Sequence, residues 1–305
     1  MKKKILVLLL LLVMLSGCTK RFTVTTTGEG EKENKKMYVS NIICRPESQD
    51  LLKIYQKNED KLLVKLDKLP KCSDLKVNSG GYEGLWTSFF VKPLAWIIVK
   101  LGQLVKSYGL SIMIMGILLR VIMFPLSKKS ANMSEKMQHA QKDLGSLEKK
   151  YKGKEDKESM MAKSQEMMMI YKKHEISPMS GCIFAFLQLP IFFAFLEAVY
   201  RVPAFFEENF WKFNLGMTPV DGFAVNNYWY IILIVLIIAA TYLSFKNMNV
   251  SADEMQAKQM KMMSMFMVVF ISIVSFTLPT AIALYWIVSN GFTIIQNLIL
   301  KKGKL

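Results

Sequence analysis

The sequence predicts an all-α membrane protein: five transmembrane helices with an interfacial amphipathic helix and a cytoplasmic helical hairpin, enclosing a hydrophilic groove. Three observations carry this reading. Of 305 residues, 52% are hydrophobic, and they gather in runs long enough to cross a bilayer. The basic residues fall mostly where alternate crossings would leave them on one side. One run, "ILLRVIMFPLSKK" (117–129), holds Arg120 among apolar neighbours. A charge at that depth costs roughly 2.5 to 3.5 kcal/mol on insertion scales, so its presence asks for a polar environment.

Residues 1–17 read as a signal segment: three lysines, an apolar run from Ile5 to Leu15, then small residues. The run is short for a span. Leu15-Ser16-Gly17-Cys18 resembles the lipobox of bacterial lipoproteins, which makes Cys18 the expected lipidation site and the first mature residue, outside the membrane. Residues 18–83 then form the lipidated N-terminus, a tether and a small extracellular module. The stretch 19 to about 40 is rich in Thr, Gly, Glu and Lys and reads as flexible. Residues 41–80 offer a short helix around "DLLKIYQKNEDKLLVKLDKL" before "NSGGYEG" breaks the chain, too little for a large core. Cys44 and Cys72 lie in this segment, where a disulfide is permitted. Two unpaired thiols are the alternative, with the bridge preferred. Cys182 reads as a small buried hydrophobe.

Residues 84–107 place apolar side chains at 90, 94, 97, 98, 101, 104 and 105, with Lys92, Lys100, Gln103 and Lys106 elsewhere on the wheel. That pattern suits a helix lying in the interface, with a further crossing as the alternative. Residues 108–127 are the first span, and Arg120 falls near its middle. Residues 128–177 are polar. Met133, Met137, Ala140, Leu144, Leu147 and Tyr151 step by fours and threes, a seam for pairing helices. Gly153 is placed to cap that helix. Met161, Ser164, Met168 and Tyr171 repeat the step, giving an antiparallel hairpin. Residues 178–300 contain four more spans, at about 178–200, 228–245, 260–278 and 281–300, and 301–305 form a tail.

Orientation follows from the basic residues. With the N-terminus outside, 128–177 is cytoplasmic and carries 12 Lys/Arg against 8 Asp/Glu, whereas 201–227 on the other side has only Arg201 and Lys212. The N-terminal segment 19–83 is also basic, with 13 Lys/Arg, but long exported domains largely escape the rule. The C-terminus lies in the cytoplasm.

Arg120 has two readings: a side chain snorkelling to the inner interface, or a water-exposed functional cation, which its mid-span position favours. The second needs polar neighbours. Gln188 supplies one within "FLQLPIFFAF". The last span supplies a stripe, with Trp286, Ser289, Asn290, Thr293, Gln296 and Asn297 spaced by threes and fours. Such residues also glue helices together through hydrogen bonds. Stripe, glutamine and arginine together point to a wet, inward-facing cavity lined by Arg120, Gln188, Trp286, Asn290, Thr293 and Gln296. Glu197, nine residues after Gln188, falls on the opposite face near the outer interface, outside the cavity. The methionines at 160–169 and 260–267 suit either packing or adaptable apolar contact.

No catalytic constellation stands out. HExxH, P-loop, GxSxG and CxxC patterns are missing, and the two histidines, His139 and His174, sit in the basic hairpin. The expectation is therefore no enzyme, no cofactor and no metal. The net charge of +16 lacks the aromatic-interleaved basic module of a nucleic-acid binder, so no sequence-specific nucleic acid is expected.

Three stretches carry a resemblance. "LLRVIMFPLSKKSANMSEKMQ", "EMMMIYKKHEISPMSGCIFAFLQLPIFFAF" and "LPTAIALYWIVSNGFTIIQN" resemble the YidC/Oxa/Alb membrane protein insertases, over roughly residues 84–300. The lipobox and five spans look like the Gram-positive lipoprotein-type branch. The resemblance implies an insertase and chaperone for integral membrane proteins and for some lipoproteins, working independently of the Sec translocon or with it. In that family a first-span arginine faces a groove open to cytoplasm and lipid; Arg120 occupies that position, and Gln188 and Trp286 match groove-lining positions. The implied partners are nascent membrane proteins and the lipid bilayer. The Sec translocon, the ribosome and the signal recognition particle receptor are further candidates, although "KKGKL" lacks the long basic extension some relatives use on ribosomes. One departure is "FFAFLEA", where Leu196 and Glu197 replace the family's usual Tyr and polar residue. The competing reading is a small-anion transporter or channel with Arg120 binding the anion, though neither inverted repeats nor glycine-broken helices appear. A scaffold without translocation activity is the third, and it would not need a mid-membrane arginine.

Overall fold

The computed structural model describes residues 19–27, 33–154, 156–177, 180–246 and 254–302, with backbone alone at 25–27, 33–36, 130–131, 134, 138, 180–187, 254–260 and 300–302. The signal segment and Cys18 lie outside the described residues, as does the side chain of Cys182. The described chain is mostly helical, with two small β-hairpins. It divides into two units: Met1–Met115 with Leu189–Leu233 and Thr277–Tyr285, and Gly116–Gln188 with Ile234–Phe276 and Trp286–Leu305.

The first unit begins with an antiparallel hairpin, β1 (Arg21–Thr27) and β2 (Glu33–Val39), in the register Phe22↔Tyr38. This corrects the tether expected over 19–40. β-branched Thr and Val populate β1, and the rings of Phe22 and Tyr38 stack across the strands at 5.9 Å. Phe22 and Val39 then join Ile42, Tyr55, Leu66 and Leu69 in a core that also packs against Tyr200. Helix α1 (Gln49–Lys57) starts at Ser48, whose hydroxyl accepts the Leu51 N–H. Cys44 and Cys72 are bridged and fully buried, as preferred from the sequence.

Helix α2 (Gly84–Val105) is continuous, with a π-helical turn at Thr87–Val91. It buries Ala95, Ile98, Val99 and Gly102. Gly102 is required by contact: a Cβ there would sit 2.3 Å from the Tyr108 ring. The chain reverses at Lys106 in left-handed geometry, φ 55°. Helix α3 (Tyr108–Ile122) follows, and the Glu208 carboxylate accepts the N–H groups of Tyr108 and Gly109 and the Ser107 hydroxyl at its start. An anion there satisfies orphan donors and faces the positive end of the helix dipole.

Helix α3 stops at Ile122, and α4 (Phe124–His139) begins one residue later. Pro125 explains the break, since it brings no N–H to continue the ladder and is tolerated in a first turn. The span expected to run to 127 is therefore a 15-residue helix followed by a second helix.

Helices α5 (Gln141–Tyr151) and α6 (Lys157–Lys173) make the expected hairpin, with Gly153 in left-handed geometry just past α5. Ala140, Leu144, Tyr171 and Ile176 form its core, with Met133, Met137, Met167 and Ile170 packed around it. The first seam matches expectation. The second holds at Tyr171 alone: Met161, Ser164 and Met168 are exposed, and Met167 and Ile170 join Tyr171 facing the partner. The four consecutive apolar residues at 167–170 let either register satisfy a stepped pattern, and packing selects the other.

Helix α7 (Ser180–Arg201) leads through the short α8 (Ala204–Glu207) to β3 (Asn209–Phe210) and β4 (Phe213–Asn214). Then come α9 (Pro219–Ala224), α10 (Tyr230–Lys246), α11 (Glu254–Ser275) and α12 (Thr280–Lys302). Among the described residues, Gly84–Val105 and Thr280–Ile299 are long and apolar enough to cross a membrane, while Tyr108–Ile122, Tyr230–Lys246 and Lys261–Ser275 are apolar but shorter.

Candidate functional site

The second unit holds all six residues expected to line the cavity. Helix α3 carries Arg120, half-buried, in its last turn. Its Nε donates to the hydroxyl of Ser289 on α12 at 2.6 Å. Ser289 is only 2% exposed while Arg120 is half-buried, so this charge-assisted bond has a shielded acceptor and a cation that is partly open. A hydroxyl is a neutral acceptor. It aims the guanidinium without cancelling its charge.

The rest of the α12 stripe divides its contacts. Trp286 Nε1 donates to Thr241 Oγ1 on α10 at 3.0 Å, and Thr241 is 1% exposed. One turn on, the Ser244 hydroxyl donates to the Asn290 carbonyl at 3.4 Å, while Asn290 Nδ2 donates back to the Trp286 carbonyl. Thr293 donates to the Ser289 carbonyl of its own helix at 3.0 Å. Gln296 is buried further along α12, and Gln188 is half-buried on α7. The structure thus joins Arg120 to the stripe through Ser289. Trp286 turns its indole to α10, and the Asn290 backbone carbonyl accepts from it, and both contacts act as interhelical glue. Thr241 and Ser244 went unnoticed in the sequence, because isolated hydroxyl residues in an apolar run carry no periodic signal.

The first unit contains a second polar cluster that the sequence did not reveal. Arg201, at the end of α7, is 2% exposed. Its guanidinium pairs with Glu83 and, at 3.2 Å, with Glu197, while its Nε donates to the Asn41 carbonyl at 2.6 Å. Glu197 also accepts from Trp86 Nε1 at 2.9 Å. Lys92 is 4% exposed and pairs with Glu83 at 2.8 Å, donating also to the carbonyls of Ser79 and Gly81. Two cations and two carboxylates balance, which is how buried charge is tolerated. Burial pushes the Glu83 carboxyl up. The charge of Arg201 and hydrogen bonds from Lys92 and Arg201 outweigh that and hold it below the usual carboxylate range. The i,i+4 spacing of Glu197 and Arg201 was the available clue.

On the hairpin, Asp143 accepts from Lys173 at 2.8 Å and His174 at 2.9 Å, and Glu166 from Lys150 at 2.6 Å and Tyr151 at 2.9 Å. These ties bind α5 to α6. Among the described residues, no group of three or more His, Cys, Asp or Glu side chains could hold a metal ion.

Apolar helices with arginine, serine, threonine and asparagine side chains meeting between them describe an integral membrane protein with a polar seam. Comparison with known proteins places it more closely. The family model described as the 60Kd inner membrane protein matches residues 100–305. The membrane protein insertase YidC of Alkalihalophilus pseudofirmus is 35% identical over 218 residues, covering 70% of this chain and 81% of the relative. The membrane protein insertase MisCA of Bacillus subtilis is 33% identical over 217 residues, covering 71% and 79%. A crystal structure of an active YidC insertase with its first transmembrane domain resolved aligns with a TM-score of 0.51 at 24% identity, over 92% of this chain. The chain spans 61% of that protein's length, and the likeness bears on the fold. The chain belongs to the 60Kd inner membrane protein family, that of the YidC membrane protein insertases.

Proposed function

We propose that this protein inserts membrane proteins through a hydrophilic groove centred on Arg120, open to the cytoplasm and to lipid. The observation that carries the reading is the Arg120–Ser289 hydrogen bond, by which a neighbouring helix aims the cation in the last turn of α3. A client's polar tail must pass a layer in which unpaired polar groups are costly. A wet groove shortens the dry distance, and a fixed cation attracts acidic residues of the tail. The client's apolar segment meanwhile moves sideways into lipid, driven by burial of its own surface. Gln188, Trp286, Asn290, Thr293 and Gln296 contribute to the groove wall. No nucleotide chemistry enters; the role is non-enzymatic, powered by partitioning and the membrane potential.

The proposed topology has five crossings, with 108–127 the first, α2 in the interface, the α5–α6 hairpin and C-terminus in the cytoplasm, and Cys18 lipidated outside. The Cys44–Cys72 bridge supports an oxidising location for the N-terminal module. Clients include single-span proteins with short translocated tails and some lipoproteins, with the Sec translocon, the ribosome and the signal recognition particle receptor as auxiliary partners.

The test is depletion and rescue. Cells depleted of their own insertase express this protein or its Arg120→Ala variant, and protease protection of a short-tailed, single-span client is read. Rescue by the intact chain with loss in the variant supports the groove mechanism. Rescue by both rejects the charge while keeping insertion. Rescue by neither, with folded protein present, rejects insertion.

A further inference from the structure

The N-terminal module lies before residue 100, outside the segment that matches the family model. It is nonetheless fastened to two membrane-type helices of the first unit, at two separate places. The first fastening is at the end of α7. The Ile43 N–H donates to the Arg201 carbonyl at 3.0 Å, and Arg201 Nε donates to the Asn41 carbonyl at 2.6 Å. Just beyond, the Glu207 carboxylate accepts the N–H groups of Glu47 and Ser48, both at 3.0 Å. The second fastening is on α2, where Lys100 Nζ and Gln103 Nε2 both donate to the Ser73 carbonyl, at 2.9 and 2.8 Å.

The positions of the cysteines match these fastenings. Cys44 follows Ile43 directly, and Cys72 precedes Ser73 directly. The module's own described core, around Phe22, Tyr55 and Leu66, is assembled from other residues. The bridge is thus placed where load would pass from one helix to the other. We propose that Cys44–Cys72 is a covalent tie-bar that joins the end of α7 to α2 through the module, so that these two helices hold one another in place. Two hydrogen bonds run beside it: Arg45 N–H to the Pro70 carbonyl at 2.7 Å and Ser73 N–H to Glu47 Oε1 at 2.9 Å. Each can break and reform thermally, whereas the disulfide cannot. Both sulfurs are fully buried, so the bridge is shielded from exchange with outside thiols once formed. The inference is independent of the insertion reading, because its test reads local opening rather than client insertion.

The experiment is hydrogen exchange by mass spectrometry on the full-length protein in lipid nanodiscs, in four forms. The bridge is either intact or replaced (Cys44→Ser with Cys72→Ser), and the α2 fastening is either intact or removed (Lys100→Ala with Gln103→Ala). The readout is the exchange rate of peptides covering 71–76, with peptides covering the long helix α10 (Tyr230–Lys246) as an internal standard of folding. With the bridge intact, removing the α2 fastening is expected to change exchange at 71–76 by about twofold or less, because the α7 fastening still holds that segment. With the bridge replaced, the same removal is expected to raise exchange roughly tenfold or more, since the two hydrogen bonds beside the bridge are then what links the segment to the α7 fastening, and they open thermally. Equal factors in both backgrounds would overturn the tie-bar, because the bridge would then carry nothing between the anchors. Should the serine pair fail to accumulate, Cys44→Ala with Cys72→Ala suits the dry site and decides the same comparison.

Discussion

Arg120 Nε and Ser289 Oγ stand 2.6 Å apart, so a serine one turn beyond Trp286 on α12 aims the cation of α3. The bond fixes direction, while the serine hydroxyl brings no charge of its own. The two contributions can therefore be separated by substitution.

Ser289→Ala is expected to reduce insertion of a client with an acidic tail by roughly threefold to tenfold, the span of an ordinary intramolecular hydrogen bond of about 0.5 to 1.5 kcal/mol. Arg120→Ala should reduce it further, and Arg120→Lys should fall between, since lysine keeps charge but loses the planar fork. Protease protection of clients with acidic and neutral tails checks this. A Ser289→Ala defect equal for both tails would show that aim toward anions is not the role of the bond.

Trp286 and Thr241 should behave as a stability pair. Trp286→Phe removes a buried donor and leaves the Thr241 hydroxyl to find another partner, at a cost of about 1 kcal/mol. Thr241→Val should cost a similar amount, and the double variant less than the sum. Thermal unfolding midpoints in detergent, arranged as a double-mutant cycle, measure the coupling.

Arg201→Ala should be among the most damaging changes in the first unit. It leaves Glu197 and Glu83 sharing a site with only Lys92 in compensation, and orphaning one partner of a buried pair costs about 3 to 5 kcal/mol. Glu197→Gln should be milder, since Arg201 keeps Glu83 as a charged partner, although the single amide oxygen can hold only one of the two bonds that the carboxylate accepts from Trp86 Nε1 and Arg201. Acid should act in the same direction. The folded Glu83 carboxyl is held below its ordinary range, so its contribution is present above that range and is lost as pH falls through the depressed value. Unfolding midpoints of both variants across pH 3 to 7 (a range about the ordinary carboxylate value) test the order and the sign.

The hairpin should respond to acid for a related reason. Hydrogen bonds from Lys173 and then His174 lower Asp143, those from Lys150 and then Tyr151 lower Glu166, and that from Lys136 lowers Glu175. Each depressed carboxyl contributes fully above its ordinary value of about 4 and loses that contribution as pH falls from there through its depressed value. Hydrogen exchange in 141–173, corrected for the intrinsic rate, should accelerate on acidification. Asp143→Asn should show the loosened state already at neutral pH.

Legibility followed the strength of the physical constraint. The α5 seam of Ala140, Leu144 and Leu147 was readable because one face of a helix must be apolar there. The α6 seam slipped because 167–170 are all apolar and periodicity had nothing to reject. β1 and β2 were read as a tether because Thr, Gly and Lys lowered the apparent hydrophobicity, although Phe22, Val24 and Tyr38 alternate as strands require. Arg120 and the α12 stripe stood out as polar residues in apolar runs. Their partners Thr241 and Ser244 did not, since a hydroxyl on its own helix is inexpensive and only tertiary contact reveals its use. The Arg201 cluster draws on segments more than a hundred residues apart, and no local pattern announces such a meeting.

The hairpin's small interior has a consequence for how it behaves in time. Among the described residues its core is Ala140, Leu144, Tyr171 and Ile176, with Leu147 buried beside them, and its other ties include ion pairs whose partners are largely exposed. Such a unit melts on its own, as a foldon of low opening energy, without drawing on the apolar mass of the long helices. Its ion pairs weaken as the Debye length shrinks from about 10 Å at 0.1 M salt to about 3 Å at 1 M. Ionic strength is therefore a dial on the lifetime of this one element, leaving the bond between Arg120 and Ser289, whose acceptor is neutral and buried, nearly untouched.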